Sequence, residues 1–388
     1  MRSPLPRLAL FAAAALMGCG DPLEELELEA SNCPDHAAVP ADAATPPFVL
    51  FDAYYLQEEA ARAVRRGEAT SPEVEETFAK AKAMGVEVVR TWAFNDDPSK
   101  AGDTAMQVAP LSYDETALRG MDLVLSSASR YGVRLILPLG NFWDDYGGAR
   151  QYVAWAGLPG PSTGDPRFFT DPGVVSTYRQ RIADLLGRVS ALDGIRYGDH
   201  PAVLAWELLN EPRADALLPG QMRTWAEQVA ATIRAHAVQR IATGEEGQEA
   251  TTGELLAAAG LDVQSIHLFP EGYGWEPAET AARGAQWISS HAEAAHGRGE
   301  ALWLEELGLA NDGVFTLDER RALYRGWLEC ARRSGLAGAG PWMFAYDARP
   351  DAWDRHTFYF RDGTAPSDPV NRYADLLISA AARLAATR

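Results

Sequence analysis

The 388-residue chain carries 54 Asp+Glu against 35 Lys+Arg, a formal charge of −19, with 47% hydrophobic and 23% charged residues. Eleven Trp, thirteen Tyr and thirteen Phe supply enough apolar surface for a large core and argue against disorder over most of the length. The negative charge repels phosphate and carboxylate polymers, which argues against nucleic acid and acidic polysaccharides as partners and leaves neutral sugars open.

At the N-terminus, Arg2 and Arg7 precede an apolar run over 8–17 that is too short to span a membrane. The run ends in Leu16-Met17-Gly18-Cys19, similar to a bacterial lipobox, where the chain is cleaved and the cysteine acylated. Residues 1–18 are thus expected to be a lipoprotein signal peptide and Cys19 the lipidated residue. The protein would then be extracytoplasmic, either held at the cell envelope by that lipid alone or secreted. An ordinary signal peptide with an incidental cysteine is the alternative. Residues 19–46 are acidic and rich in Ala and Pro, and are expected to form a solvated tether rather than a packed element. With Cys19 acylated, Cys33 and Cys330 remain as an even pair in an oxidising compartment, either as a disulfide or as thiols.

Beyond the tether one rhythm repeats: short apolar strand, loop, amphipathic helix. The first half reads as strand 48–53, helix 72–84, strand 87–91, helix 114–131, strand 134–139 and helix 174–192. The second half reads as strand 203–209, helix 222–237, strands 240–242 and 263–268, helix 280–296, strand 302–305, helix 317–334, strand 338–344 and helix 371–386. Eight strands alternating with helices predict an α/β fold, a single-domain (β/α)8 TIM barrel over 47–388. A doubly wound sheet is the rival. No Gly-rich phosphate loop follows the first strand, which weighs against it.

In such a barrel the C-terminal strand ends and the loops after them build the active site. Strand two ends in Val89-Arg90-Thr91-Trp92, and strand three runs into Asn141-Phe142-Trp143. Strand four carries Glu207, Asn210 and Glu211, and strand six ends in Ile266-His267-Leu268-Phe269. Strand seven carries Glu305 and Glu306, and strand eight ends in Pro341-Trp342. Two carboxyl groups facing one another across a cleft are what glycoside hydrolysis requires. If Leu302 and Leu304 point into the barrel, strand alternation puts Glu306 on their face and Glu305 towards the helices. Glu306 is then the candidate nucleophile. Glu207 is expected deeper in the barrel as a structural carboxylate paired with a cation. The rim aromatics suit the apolar faces of sugar rings, while Trp225, Trp287 and Trp327 are expected in packing roles. No CxxC, HxH or HExxH pattern occurs, so neither a metal nor a cofactor is expected.

Four strings then carry a resemblance. They are Val88-Val89-Arg90-Thr91-Trp92-Ala93-Phe94-Asn95-Asp96, Trp143-Asp144-Asp145-Tyr146-Gly147-Gly148, Ala205-Trp206-Glu207-Leu208-Leu209-Asn210-Glu211-Pro212-Arg213 and Ile266-His267-Leu268. In this order, over about 48–346, they resemble the plant and fungal endo-β-1,4-mannanases of glycoside hydrolase family 5. The resemblance implies a retaining double displacement on a neutral β-mannan, with no cofactor and nothing that demands more than a monomer. It gives Glu211 as acid/base and Glu306 as nucleophile. Asn210 would bond the sugar 2-hydroxyl, and Arg90 would keep the nucleophile ionised. His267 would belong to the active-site network and Trp342 to the floor of the −1 subsite, with Trp92 and Trp143 also in contact with substrate. Retention asks for carboxyl groups about 5–5.5 Å apart, inversion for about 6.5–9.5 Å.

Two positions depart from the family pattern. Its strand-six His-x-Tyr is His267-Leu268-Phe269 here, so the phenol that would donate to the nucleophile is missing. The aromatic after the second strand-seven Glu is Leu307, a milder packing change. A cellulase or exo-β-mannosidase, or a sugar-binding barrel with little turnover, are the competing readings.

Overall fold

The computed structural model describes residues 21–36, 46–351 and 355–386. Its first elements are α1 (Pro22–Ala30), β1 (Phe48–Asp52), α2 (Leu56–Arg65), α3 (Pro72–Met84) and β2 (Val88–Arg90). A small hairpin, β3 (Gln107–Ala109) and β4 (Ser112–Tyr113), precedes α4 (Glu115–Tyr131) and β5 (Arg134–Pro138). Then come α5 (Gly148–Trp155), α6 (Arg167–Thr170), α7 (Pro172–Gly187), β6 (Val203–Glu207) and α8 (Gln221–His236). The remainder is β7 (Arg240–Ala242), α9 (Glu249–Leu256), β8 (Val263–Leu268), α10 (Thr280–His296), β9 (Ala301–Leu307), α11 (Leu317–Arg333), β10 (Gly338–Ala339) and α12 (Ala374–Ala385). Eight of the strands pair in parallel and close in the order β1-β10-β9-β8-β7-β6-β5-β2. The predicted (β/α)8 barrel is the observed fold.

The helix ends follow local chemistry. Thr316 and Glu319 form a reciprocal capping box at the start of α11, and Asp114 accepts from the first backbone amides of α4. Gly132, at φ +70°, ends α4 in the left-handed turn that glycine adopts without strain.

Strand phase divides the apolar residues into two cores. Phe48, Leu50, Val88, Ile136, Ala205, Val263, Ala301 and Trp303 fill the barrel lumen. Val49, Phe51, Val89, Leu135, Leu137, Trp206, Leu302 and Leu304 face the helices in the outer core. The lumen residues carry polar groups in the same phase at the C-terminal strand ends, which is how the barrel aims its site.

This phase corrects one expectation. Leu302 and Leu304 point outwards, so simple alternation sends Glu305 inwards, with Ala301 and Trp303. The register then shifts: Ile266 pairs with Leu304, but His267 pairs with Glu306. Two residues of β9 stand opposite one of β8, a bulge that turns Glu306 to the mouth as well. Glu305 therefore does not point towards the helices.

The eighth strand is shorter than the sequence pattern predicts. A Cβ on Gly340 would stand 1.7 Å from the Leu50 carbonyl oxygen, so the chain passes β1 at backbone contact there. Regular pairing ends there, though Trp342 still donates to the Leu307 carbonyl at 3.1 Å and Phe344 to the Asp52 carbonyl at 2.8 Å.

The expected tether over 19–46 is also corrected where it is described. Residues 22–30 form α1, seated on α11 and α10, with Ala30 fully buried. Gly326 makes this seat, since a Cβ there would lie 2.5 Å from the Ala30 methyl. Glu27 pairs with Arg325, and Asp35 with Arg333 at 2.8 Å. Acidic side chains of the arm thus meet arginines of α11, and composition alone hid that complementarity. Cys33 and Cys330 form a disulfide that fastens the arm to α11. Cys19 and the predicted signal peptide lie outside the described residues. No described helix is long and apolar enough to cross a membrane.

Candidate active site

The Arg90 guanidinium lies fully buried at the barrel mouth, on the lumen face of β2. Its Nε and Nη2 each stand 2.9 Å from an oxygen of Glu207. Nη2 also donates to Asn210 Oδ1 at 2.6 Å. Nη1 serves two carboxylates, Asp52 Oδ2 at 2.8 Å and Glu306 Oε1. Glu305 lies 3.9 Å from Nε. The expectation that Glu207 pairs with a cation is met, and the cation is Arg90.

Glu211 follows β6 in the left-handed region, at φ +52°. For a non-glycine residue that conformation costs on the order of 1–3 kcal/mol and persists only where its surroundings fix it. The Glu211 amide donates to the Gly244 carbonyl at 2.7 Å. Gly244 is itself at φ +73°, and a Cβ there would meet the Leu209 carbonyl at 2.2 Å. His267 Nδ1 contacts Glu211 Oε1 at 2.7 Å and lies 3.7 Å from Glu306 Oε2. The Trp143 indole donates to the other Glu211 oxygen, and the Arg213 guanidinium covers that indole at 4.7 Å.

One atom each of Glu211, His267 and Glu306 fall within 4.8 Å of one another. Among the described residues they are the one group able to offer a metal ion three ligands. Glu306 is already engaged by Arg90, Glu211 by Trp143, and His267 Nδ1 by Glu211. One oxygen of each carboxyl group thus approaches the other within 4.8 Å, an approach that suits the short spacing of a double displacement.

Aromatic rings form one wall. Trp342 stacks on Tyr54 with centroids 5.2 Å apart and planes at 9°. Trp92 packs between Tyr54, Phe94 and Tyr146 and is only 5% exposed, so it backs this wall from beneath. Trp225 and Trp327 are buried in the helical layer. Trp287 donates to the His267 carbonyl at 3.1 Å, and the Tyr273 hydroxyl donates to the same oxygen at 2.8 Å. Phe269 lies against Gly308 and beside His356, with ring centroids 5.2 Å apart. Arg90 supplies the nearest donor to Glu306 where the phenol is missing.

Burial dominates the charge states. It pushes the Glu306 carboxyl up to about 8, although His267 and Arg90 pull it down. Burial likewise raises Glu207 to about 8 and Asp52 to about 7. Burial would also raise Glu211, but the hydrogen bond and charge of His267, with the Trp143 indole, hold it below the usual range. Burial would discharge His267, yet Glu306, Glu211 and Glu305 together raise it well above an ordinary imidazole. Arg90 and His267 thus both favour the Glu306 anion, as expected of Arg90, while burial opposes it.

Asp52, Glu245 and Glu246 are the acidic groups that the sequence reading passed over. They stand at or just beyond the C-terminal ends of β1 and β7, where the same strand-end rule reaches them. Glu246 pairs with Arg213, and Glu245 is fully buried, with the Thr252 hydroxyl donating to it at 2.8 Å.

Residues 46–372 match the family model for β-mannosidase-like proteins of glycoside hydrolase family 5. Mannan endo-1,4-beta-mannosidase 8 of Oryza sativa subsp. japonica is 33% identical over 331 residues, covering 76% of this chain and 85% of that protein. Mannan endo-1,4-beta-mannosidase 3 of the same plant is 36% identical over 286 residues, covering 67% of this chain and 59% of that protein. The endo-beta-1,4-mannanase structure from Thermotoga petrophila superposes with a TM-score of 0.77 at 25% identity, over 89% of this chain and 78% of that one.

Burial raises Glu245 from 4.5 to about 8, so the folded chain binds a proton there that the unfolded chain releases. Stability must therefore fall as pH rises from 4.5 towards 8. Glu245→Gln removes that loss. Urea unfolding should give the variant an advantage over the parent that exceeds about 1 kcal/mol at pH 8 and shrinks towards pH 5. An advantage independent of pH would show that Glu245 is not protonated in the fold.

Proposed function

Because the chain belongs to the β-mannosidase-like group of glycoside hydrolase family 5, we propose that it is a retaining endo-β-1,4-mannanase. Its substrates are mannan, glucomannan or galactomannan, cut at internal bonds through a covalent glycosyl-enzyme. The observation that carries this reading is the close pair of carboxyl groups, Glu211 after β6 and Glu306 on β9, bridged by His267 and backed by Arg90.

In the first step Glu306 attacks the anomeric carbon while Glu211 protonates the departing oxygen. In the second, Glu211 takes a proton from water, which attacks the same carbon and releases Glu306. The first step needs a proton on Glu211 and an anion at Glu306. Binding of a neutral sugar displaces water from Glu211, which is 12% exposed, and so raises its proton affinity. Arg90 and His267 favour the Glu306 anion. Asn210, held by Arg90 and by Asn141 at 3.0 Å, presents its amide to the sugar 2-hydroxyl. Trp342 supplies the stacking floor, and Trp143 flanks the leaving sugar beside Glu211.

Two variants test the roles. Glu306→Gln should abolish the glycosyl-enzyme and cut kcat on mannan by more than about a thousandfold, as the attacking group is gone. Glu211→Gln should slow mannan strongly and an activated aryl mannoside much less, because a good leaving group needs little protonation. Reducing-sugar release from mannan, cellulose and xylan in parallel checks the substrate. An active Glu306→Gln, or release from cellulose alone, overturns the reading.

We also propose that the mature chain is held at the cell envelope by a lipid on Cys19. The Leu16-Met17-Gly18-Cys19 string supports it, as does a disulfide that suits an oxidising compartment. Cys19→Ala should move the protein from the membrane fraction to the soluble one while its activity persists. Equal membrane association of variant and parent contradicts the anchor.

A further inference from the structure

Asp52 has no part in the double displacement, yet it sits fully buried at the centre of the machinery. It stands opposite Arg90 in the β1–β2 register, on the lumen face of its strand. One of its oxygens takes a hydrogen bond from Arg90 Nη1 at 2.8 Å. Nη1 is the same nitrogen that donates to Glu306. A guanidinium Nη carries two hydrogens, so one goes to each carboxylate, and the two acids compete for a single positive centre.

We propose that Asp52 is a positioning residue for Glu306: by sharing Arg90 Nη1, it sets how strongly the guanidinium holds the nucleophile in its anionic form. The proposal rests on the mannanase reading only for its kinetic test. Arg90 from β2 and His267 from β8 act on Asp52, Glu207 from β6 and Glu305 and Glu306 from β9 gather with it around Arg90, and Glu211 after β6 also acts on Glu306. Four carboxyl groups thus converge on one guanidinium, with one imidazole on the far side. Glu207 takes the Nε and Nη2 edge of Arg90, and Asn210 also lies on Nη2. Among the described residues, Asp52 alone shares the nitrogen of Glu306. An ionised Asp52 both divides that donor and repels the neighbouring anion, so each effect favours a proton on Glu306. Asp52 and Glu306 consequently titrate as a linked pair.

Asp52→Asn keeps the shape and a hydrogen-bond acceptor for Arg90 while removing the charge. The acidic limb of kcat/KM on mannan should move to lower pH by about one unit, the shift expected from removing a close like charge. A purely structural role for Asp52 would lower stability or kcat at every pH without moving the limb. Carbon-13 NMR of Glu-labelled protein gives a second readout that needs no turnover. The Glu306 carboxyl resonance, assigned by its loss in Glu306→Gln, should titrate at lower pH in Asp52→Asn than in the parent. If Asp52→Asn does not fold, Asp52→Ser removes the same charge with less bulk and should move both readouts the same way. A chain inactive on every β-glycan, with the resonance still shifted, would sink the mannanase reading and leave Asp52 in this role. An unmoved limb with an unmoved resonance would overturn it.

Discussion

One guanidinium organises the mouth of this barrel. Arg90 is fully buried, and Asp52, Glu207, Glu306 and Asn210 all take hydrogen bonds from it. A buried charge without partners costs several kcal/mol, so this cation can stay in the fold only while its carboxylates surround it. The converse also holds: without Arg90, those carboxylates would lose the nearest positive centre in a site closed to water. The barrel delivers these groups from four different strands: lumen phase brings Asp52, Arg90 and Glu207 to the mouth, and the β9 bulge brings Glu306. The fold and the site are thereby one construction.

The same arrangement explains why the site holds a proton. Carboxyl groups outnumber cations at the mouth, and burial makes every unpaired negative charge expensive. Protons are the cheapest counterion available. Burial pushes the Glu306 carboxyl towards its protonated form against the pull of His267 and Arg90, while His267 and Trp143 hold Glu211, nearer to solvent, towards its anion. His267 lies between the two acids and is held through its carbonyl by Tyr273 and Trp287, which fixes the ring in its bridging place. The aromatic wall acts on the other side of the cleft, where Tyr54 and Trp342 stack on a support formed by Trp92.

Much of this was legible in the sequence, and the failures are physical ones. The alternation of short apolar strands with helices carried the barrel, and the strand-end rule found Arg90, Glu211, His267 and Glu306. Glu306 was reached through a false premise, since Leu302 and Leu304 face the helices and only the bulge opposite His267 returns Glu306 to the mouth. A bulge of this kind leaves no periodic trace in one sequence. Asp52 and Glu245 were open to the same rule but stand on strands whose ends looked unremarkable in motif terms. The arm around α1 read as solvated because acids and alanines dominate it. Its seat depends on Gly326, on arginines of α11 and on a disulfide 297 residues distant in sequence, none of which local composition reports.

The most direct test of this account is the anomeric configuration of the first product. Cleavage of a purified β-1,4-manno-oligosaccharide can be followed by proton NMR from the first minutes, before mutarotation blurs the signal. Attack by Glu306 followed by water on the same face predicts that the new reducing end appears as the β-anomer, with the α-anomer growing in only later. An α-anomer released first would mean a single displacement by water, and would contradict the assignment of the close Glu211–Glu306 pair.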